Sequence, residues 1–207
     1  MYLQISLATG LFAALLMFSG DMILYFTTGR YDMDGTLNPY IGIMKDFPEW
    51  RLRFGGLLGP VAAFFYCIGF SQIVFAVAKE YIVLGIATAL ISSLGIIVGG
   101  AYHAQFTYLG LVGKYGGEKI VPSMMKNIML LSKISMYSLA IGAIVLSGLI
   151  LFGKTIYPAW MVCFTPTATI FLSFIWMKAP QPFRVVLFGG WYNLIYVIFF
   201  LTALIAI

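Results

Sequence analysis

One histidine, His103, sits inside a run of apolar residues, and the aspartate Asp21 sits inside another. A carboxylate and an imidazole are the groups from which proteins build general bases, proton relays and polar anchors for a ligand. A charge at the centre of a bilayer costs at least ~2.5–3.5 kcal/mol, so each of these groups needs a partner. Arg51 and Arg53 can offer one if the segments carrying them lie beside Asp21. An Asp21–Arg53 ion pair would hold the carboxylate charged. An Asp21–His103 pair would instead orient the imidazole. Spacing along the chain leaves both open, as it does the plainer roles of a helix-packing hydrogen bond for Asp21 and a satisfied interior histidine for His103.

The elements that must position these residues follow from composition. Of 207 residues, 62% are hydrophobic and only 9% are charged, and the mean hydropathy is +0.99. An average soluble domain carries about 25% charged residues, and a disordered chain needs low hydrophobicity. Both classes are excluded, which leaves an all-α, polytopic bundle embedded in a membrane as a single domain over residues 1–207. Six stretches are long enough to cross a ~30 Å hydrocarbon layer as helices: 3–27, 54–78, 81–110, 127–152, 157–177 and 185–207. Arg30, Lys45, Arg51, Arg53, Lys114, Lys119, Lys126, Lys133, Lys178 and Arg184 fall in or near the first, third and fifth connections, and only Lys79 and Lys154 on the other side. The positive-inside rule then places both termini outside the cytoplasm. The first segment, with no positive n-region before it, reads as a retained span.

With that topology, depths can be compared. Asp21 lies seven positions before Thr28, and His103 seven before Gly110, each ~10 Å from the cytoplasmic end. Asn193 and Ser135 lie eight positions into their rising spans, and Tyr66 stands at or above the same layer. Thr165, Thr169 and Ser173 form a stripe at helical spacing in the fifth span. Polar side chains at matched depth would satisfy one another, where alone each would cost several kcal/mol. The expected site comprises Asp21, His103, Asn193, Arg53, Tyr25, Tyr102, Ser135 and Thr169, in the cytoplasmic half of the bilayer. Gly20, Gly99 and Gly189 beside it signal either tight packing or space for a ligand.

Other chemistries fail on inventory. Tyr31-Asp32-Met33-Asp34-Gly35-Thr36 resembles the first motif of haloacid-dehalogenase-type phosphatases. That motif needs a buried strand in an α/β domain, and no soluble stretch here is long enough to supply one. Asp-Gly and Asn38-Pro39 read as turns. Cys67 and Cys163 lie in separate apolar runs, so neither a disulfide framework nor a metal site is expected, and no cofactor. One histidine cannot make a three-histidine zinc centre or a bis-histidine haem pair. The last span carries no lysine for a retinal Schiff base. The scattered basic residues are a footprint of topology, and nucleic acid is not an expected partner.

Gly20-Asp21-Met22-Ile23-Leu24-Tyr25, Gly55-Gly56-Leu57-Leu58-Gly59-Pro60 and Tyr102-His103-Ala104 resemble an uncharacterised bacterial family of small multi-span membrane proteins. The resemblance implies a six-span bundle in a bacterial membrane and supplies no activity. Two functional readings follow. One is a protein that binds or transports a small, largely apolar molecule whose polar end meets Asp21, His103 and Asn193. The other is an intramembrane enzyme acting on a lipid or isoprenoid, with His103 as general base. Membrane lipids are the expected surroundings. Small-residue pairs such as Gly55/Gly59 and Gly95/Gly99 suit either internal helix packing or docking of a partner subunit or second copy.

Overall fold

The computed structural model describes residues 1–29, 38–117, 119–176, 178–180 and 182–207. Its helices are α1 (Tyr2–Tyr25), α2 (Asn38–Met44), α3 (Glu49–Phe70), α4 (Gln72–Ala76), α5 (Ile82–Tyr115), α6 (Val121–Leu151), α7 (Pro166–Thr169), α8 (Ser173–Trp176) and α9 (Phe183–Ala206). The only β-type pairing among the described residues is an isolated bridge between Val77 and Thr155.

Among the described residues, five helical stretches are long and apolar enough to cross a membrane: Tyr2–Tyr25, Glu49–Ala76, Lys79–Tyr115, Val121–Leu151 and Phe183–Ala206. The expected span 157–177 is not among them. Its described residues form a 3-10 turn at Ala159–Phe164, then α7, a second 3-10 turn at Ile170–Leu172, and α8. The cause is local. A residue before proline resists the helical region, and Thr165 before Pro166 is extended at φ −70°, ψ 156°. Pro166 then opens a fresh helical turn, a position that needs no amide hydrogen. Hydropathy registers none of this. α5 runs on to Tyr115 and stops at Gly116, whose φ of 85° only glycine adopts without strain.

Close approaches at glycines give the helix directions. A Cβ on Gly69 would lie 2.5 Å from the Gly10 Cα, while Gly20 faces the Gly55 carbonyl, so α1 and α3 are antiparallel. Gly100 faces Ala63 and Gly56 faces Thr107, so α3 and α5 are antiparallel. Gly142 faces Ser92 and Gly95 faces Ser135, which does the same for α5 and α6. Gly10 faces Phe200 and Gly189 faces Tyr25, placing α9 antiparallel to α1. The long helices thus stand in the order α9, α1, α3, α5, α6. Because α6 and α9 point the same way, the chain between them must return from one end of the bundle to the other. The Ala159–Phe164 turn and α7 touch both α6 and α9 and close the row into a ring. Both chain termini lie at one end, and α2 packs on α1 and α5 at the other.

The outside of the ring is apolar. Phe64, Leu90, Ile97, Ile144 and Phe171 are each more than half exposed, as suits a surface solvated by hydrocarbon. Inside, buried side chains fall into two clusters. One holds Met17, Tyr66, Phe70, Ile96, Tyr196, Phe199 and Phe200. The other, next to α2, holds Leu24, Tyr25, Tyr40, Leu52, Phe106 and Leu109.

Candidate functional site

Asp21 follows Met17 and precedes Leu24, and His103 follows Ile96 and precedes Phe106, so both fall at the seam between the two apolar clusters. Asp21 is 6% exposed and His103 5%. Asp21 Oδ1 lies 3.1 Å from His103 Nδ1. Asn193 Nδ2 donates to Asp21 Oδ2 at 2.7 Å. The Tyr66 hydroxyl donates to Asn193 Oδ1 at 3.1 Å. His103 Nε2 lies 3.0 Å from the Gly55 carbonyl oxygen. Four helices, α1, α3, α5 and α9, are thereby joined in one circuit. The Tyr25 hydroxyl, one turn after Asp21, is also directed at the Asp21 carboxylate.

Glycine makes this geometry accessible. A Cβ on Gly59 would lie 2.6 Å from His103 Cδ2, and one on Gly20 3.0 Å from His103 Nε2. One on Gly189 would overlap the Tyr25 ring. The glycines flanking the node therefore serve close packing in this conformation. Pro60 has no amide hydrogen and leaves the Gly56 carbonyl without its helical donor. The carbonyl that His103 reaches is one residue earlier. Two hollows stand elsewhere: an open surface depression of about 480 Å³ lined by Gln105, Tyr108, Val112, Tyr115, Ile120 and Met124, and a void of about 10 Å³ lined by Ser92, Gly142, Leu146, Pro166 and Phe199.

The structure brings together Asp21, His103, Asn193 and Tyr25. Tyr102 is at the margin, its ring 5.2 Å from that of Phe106. Three expected members lie apart. Arg53 is exposed and paired with Glu49 at 2.6 Å, one turn back on its own helix, so Asp21 takes the imidazole and not that guanidinium. Arg51, on the opposite face of α3, turns to α1 instead. It donates to the carbonyls of Ile23, of Met22 at 3.2 Å and of Phe26 at 2.6 Å, capping the α1 C-terminus. Ser135 donates to the Gly95 carbonyl at 2.7 Å and lies against Gly99, one turn of α5 or ~6 Å from His103. Thr169 donates to the Thr165 carbonyl at 2.9 Å. The stripe expected through Thr165, Thr169 and Ser173 needs a continuous helix, which the break at Pro166 removes. Thr165 and Thr167 instead place their hydroxyls 2.9 and 3.0 Å from Ser147 Oγ. The Asp32/Asp34 motif lies outside the described residues.

Sequence reasoning placed Tyr66 near the right depth without making it a member, although a tyrosine deep in an apolar span is itself the signal. It missed a second polar contact, Gln72 with the Tyr157 hydroxyl, which joins the α4 end of the bundle to the start of the broken segment. Around the node, Tyr40 from α2 stacks edge-on against Tyr25, with ring centroids 4.9 Å apart. Burial first, then the nearby Tyr102 phenol and Asp21 carboxylate, push the Tyr40 phenol far above its usual range, so it stays a proton donor. Among the described residues no three His, Cys, Asp or Glu side chains gather, so the node offers a metal only one carboxylate and one imidazole.

Fold and site together define an all-helical bundle, with helices of membrane-spanning length, organised around a buried carboxylate–imidazole pair. The chain belongs to a family of unknown function, DUF6796, whose profile matches residues 2–207. No curated protein and no solved structure matches it significantly.

Proposed function

We propose that this protein is a multi-pass membrane protein of six crossings, with the broken segment 157–177 as the fifth, and that it binds or transports a small, largely apolar molecule. The polar end of that molecule meets Asp21, His103 and Asn193. Most of the described basic residues fall toward the α2 end, which favours that end for the cytoplasm and the other side of a bacterial cell membrane for both termini. Support for the crossing count comes from the parallel run of α6 and α9, which requires a return path between them.

The observation that carries the functional reading is the 3.1 Å contact between two buried ionisable side chains, Asp21 and His103. Ionisable groups at such depth are costly, and where they occur they mark ligand or ion pathways. The fifth segment supports transport in particular, because binding sites of transporters are commonly built beside interrupted helices. Catalysis by His103 is the weaker reading, since both ring nitrogens are engaged, one by Asp21 and one by the Gly55 carbonyl. Entry of a ligand requires the ring to open, and the short pieces between α6 and α9 are its weakest wall. Native mass spectrometry of the gently solubilised protein tests the proposal. A small molecule should accompany the wild type and be missing from both Asp21→Asn and His103→Ala. A bare wild type, with thermal stability unchanged in both variants, would remove the site.

A further inference from the structure

The circuit of hydrogen bonds has a donor and acceptor logic that can be followed atom by atom. The Gly55 carbonyl can only accept, so His103 Nε2 carries a hydrogen and donates it. Asn193 must donate through Nδ2 to Asp21 Oδ2 and accept at Oδ1 from the Tyr66 hydroxyl. Each of these polarities is set by a backbone carbonyl, an amide or a phenol. The remaining link, Asp21 Oδ1 to His103 Nδ1, is different. With Nε2 already protonated, the 3.1 Å contact is attractive only if one further proton lies between carboxylate and ring. It may be written as carboxylate with imidazolium or as carboxylic acid with neutral imidazole; both hold the same two protons and no net charge. Without the shared proton, two lone pairs would face each other at that distance, and the pair would carry one negative charge in a dry interior.

We propose that Asp21 and His103 form a proton-binding site whose bound proton holds α1 against α5 and so keeps the ring closed around the node. The proposal deepens the reading above and rests on it in taking the node as the working site. It makes the proton the ion to which opening is coupled. On opening, the hydrogen between Oδ1 and Nδ1 leaves for water, Asp21 remains as carboxylate, and the imidazole remains neutral with its hydrogen on Nε2. No other group is placed to replace that proton. The neighbours that face the pair are Tyr25 on α1, Tyr40 on α2, Tyr66 on α3, Tyr102 on α5 and Asn193 on α9. The Arg51 guanidinium, which reaches α1 just past Asp21, is committed to the carbonyls of Met22, Ile23 and Phe26. Water reaches the site most readily from the α2 end, because α1 stops four residues after Asp21, ~6 Å further along its axis.

The sign of the pH effect follows from proton counts. Closed, the pair holds two protons. In water above about pH 6.5, an aspartate and a histidine together hold one. Raising pH therefore favours opening, by up to about tenfold per pH unit. Asp21→Asn supplies its own amide hydrogen to His103 Nδ1 and its carbonyl to Asn193, so that variant should stay closed with no titratable link.

Two measurements on the full chain in lipid nanodiscs test this. Backbone hydrogen exchange in α1 and α5 is followed from pH 6 to 9, as the ratio of wild type to Asp21→Asn at each pH, which cancels base catalysis of exchange. The ratio should climb with pH, by up to about tenfold per unit; a flat ratio overturns the proposal. Because His103 is the only histidine, nitrogen-15 labelling of histidine gives one imidazole signal pair in the wild type. A protonated Nε2 at pH 6 is expected, and a ring with its only hydrogen on Nδ1 overturns the donor assignment whatever the variant does. The two readings fail separately. A pH-dependent ratio in a protein that carries no small molecule leaves the proton site and removes the ligand. A bound molecule with a flat ratio does the reverse.

Discussion

At the scale of single residues, the energetics turn on which groups are left without partners. Removing the imidazole in His103→Ala leaves the Asp21 carboxylate without its imidazole partner in a dry interior, while the Gly55 carbonyl keeps its place in the α3 helix. Breaking a buried pair in this way costs about 3–5 kcal/mol. Tyr66→Phe removes one donor and strands only Asn193 Oδ1, a loss of about 1–3 kcal/mol. Thermal midpoints in detergent should therefore fall for both, and further for His103→Ala. Equal, negligible shifts would mean that neither contact forms in the protein. Asp21 and His103 were legible from the sequence because an ionisable residue in an apolar run has no cheap explanation. Arg53 was misplaced for an equally physical reason. Sequence spacing brings Arg51 and Arg53 equally near α1, but two residues along a helix turn the side chain by about 200°. One guanidinium therefore caps α1, and the other meets Glu49 at the surface.

At the scale of elements, contacts between helix backbones decide how the node is assembled. The tightest lies where α1 crosses α3, with Gly69 against Gly10. A methyl group there would meet backbone, which cannot swing aside as a side chain can. Gly69→Ala should cost about 1–3 kcal/mol and lower the thermal midpoint, although the site is remote from Asp21. Gly148→Ala, at a helical position facing open space, should not lower it and, by helix propensity, should add up to about 1 kcal/mol of stability. The five long helices could be read from apolar run length alone. The fifth expected span could not, because run length is blind to backbone geometry. Pro158 and Pro166 were visible in the sequence, but their effect depends on Thr165 adopting the extended conformation that Pro166 imposes. In that broken segment Thr169 donates to the Thr165 carbonyl of its own turn and not to the node. Ser135 packs against Gly95 and Gly99, about one turn from His103, and gives its hydroxyl to the Gly95 carbonyl, a choice of partner that counting depth along a span does not reveal.

For the whole molecule, the directions of α6 and α9 put the segment joined by Lys79 and Glu80, the turn at Lys154 and both termini at one end, and the bulk of the basic residues at the other. A topology experiment follows. In a background with Cys67 and Cys163 replaced, single cysteines at Lys79 and Lys154 should react with an impermeant thiol reagent in intact cells, whereas those at Lys45 and Lys114 should react only after permeabilisation. A cysteine at Lys178, beyond the broken segment, should behave like those at Lys45 and Lys114; its labelling from the Lys154 side would contradict the passage of that segment from one end to the other. A largely apolar exterior with a polar seam inside is the arrangement a bilayer favours, since unpaired polar groups facing lipid have no water to turn to.

Everything proposed for this protein depends on Asp21 and His103 meeting. The most direct measurement is a solid-state NMR distance in lipid bilayers between the nitrogen-15 of the only imidazole and carbon-13 in aspartate carboxyl groups. A carboxyl carbon about 4 Å from Nδ1 is expected from a hydrogen-bonded pair, and it should vanish in Asp21→Asn. Absence of any aspartate carboxyl carbon within about 6 Å of the ring in the wild type, well beyond hydrogen-bonding range, would contradict the pairing and with it the site.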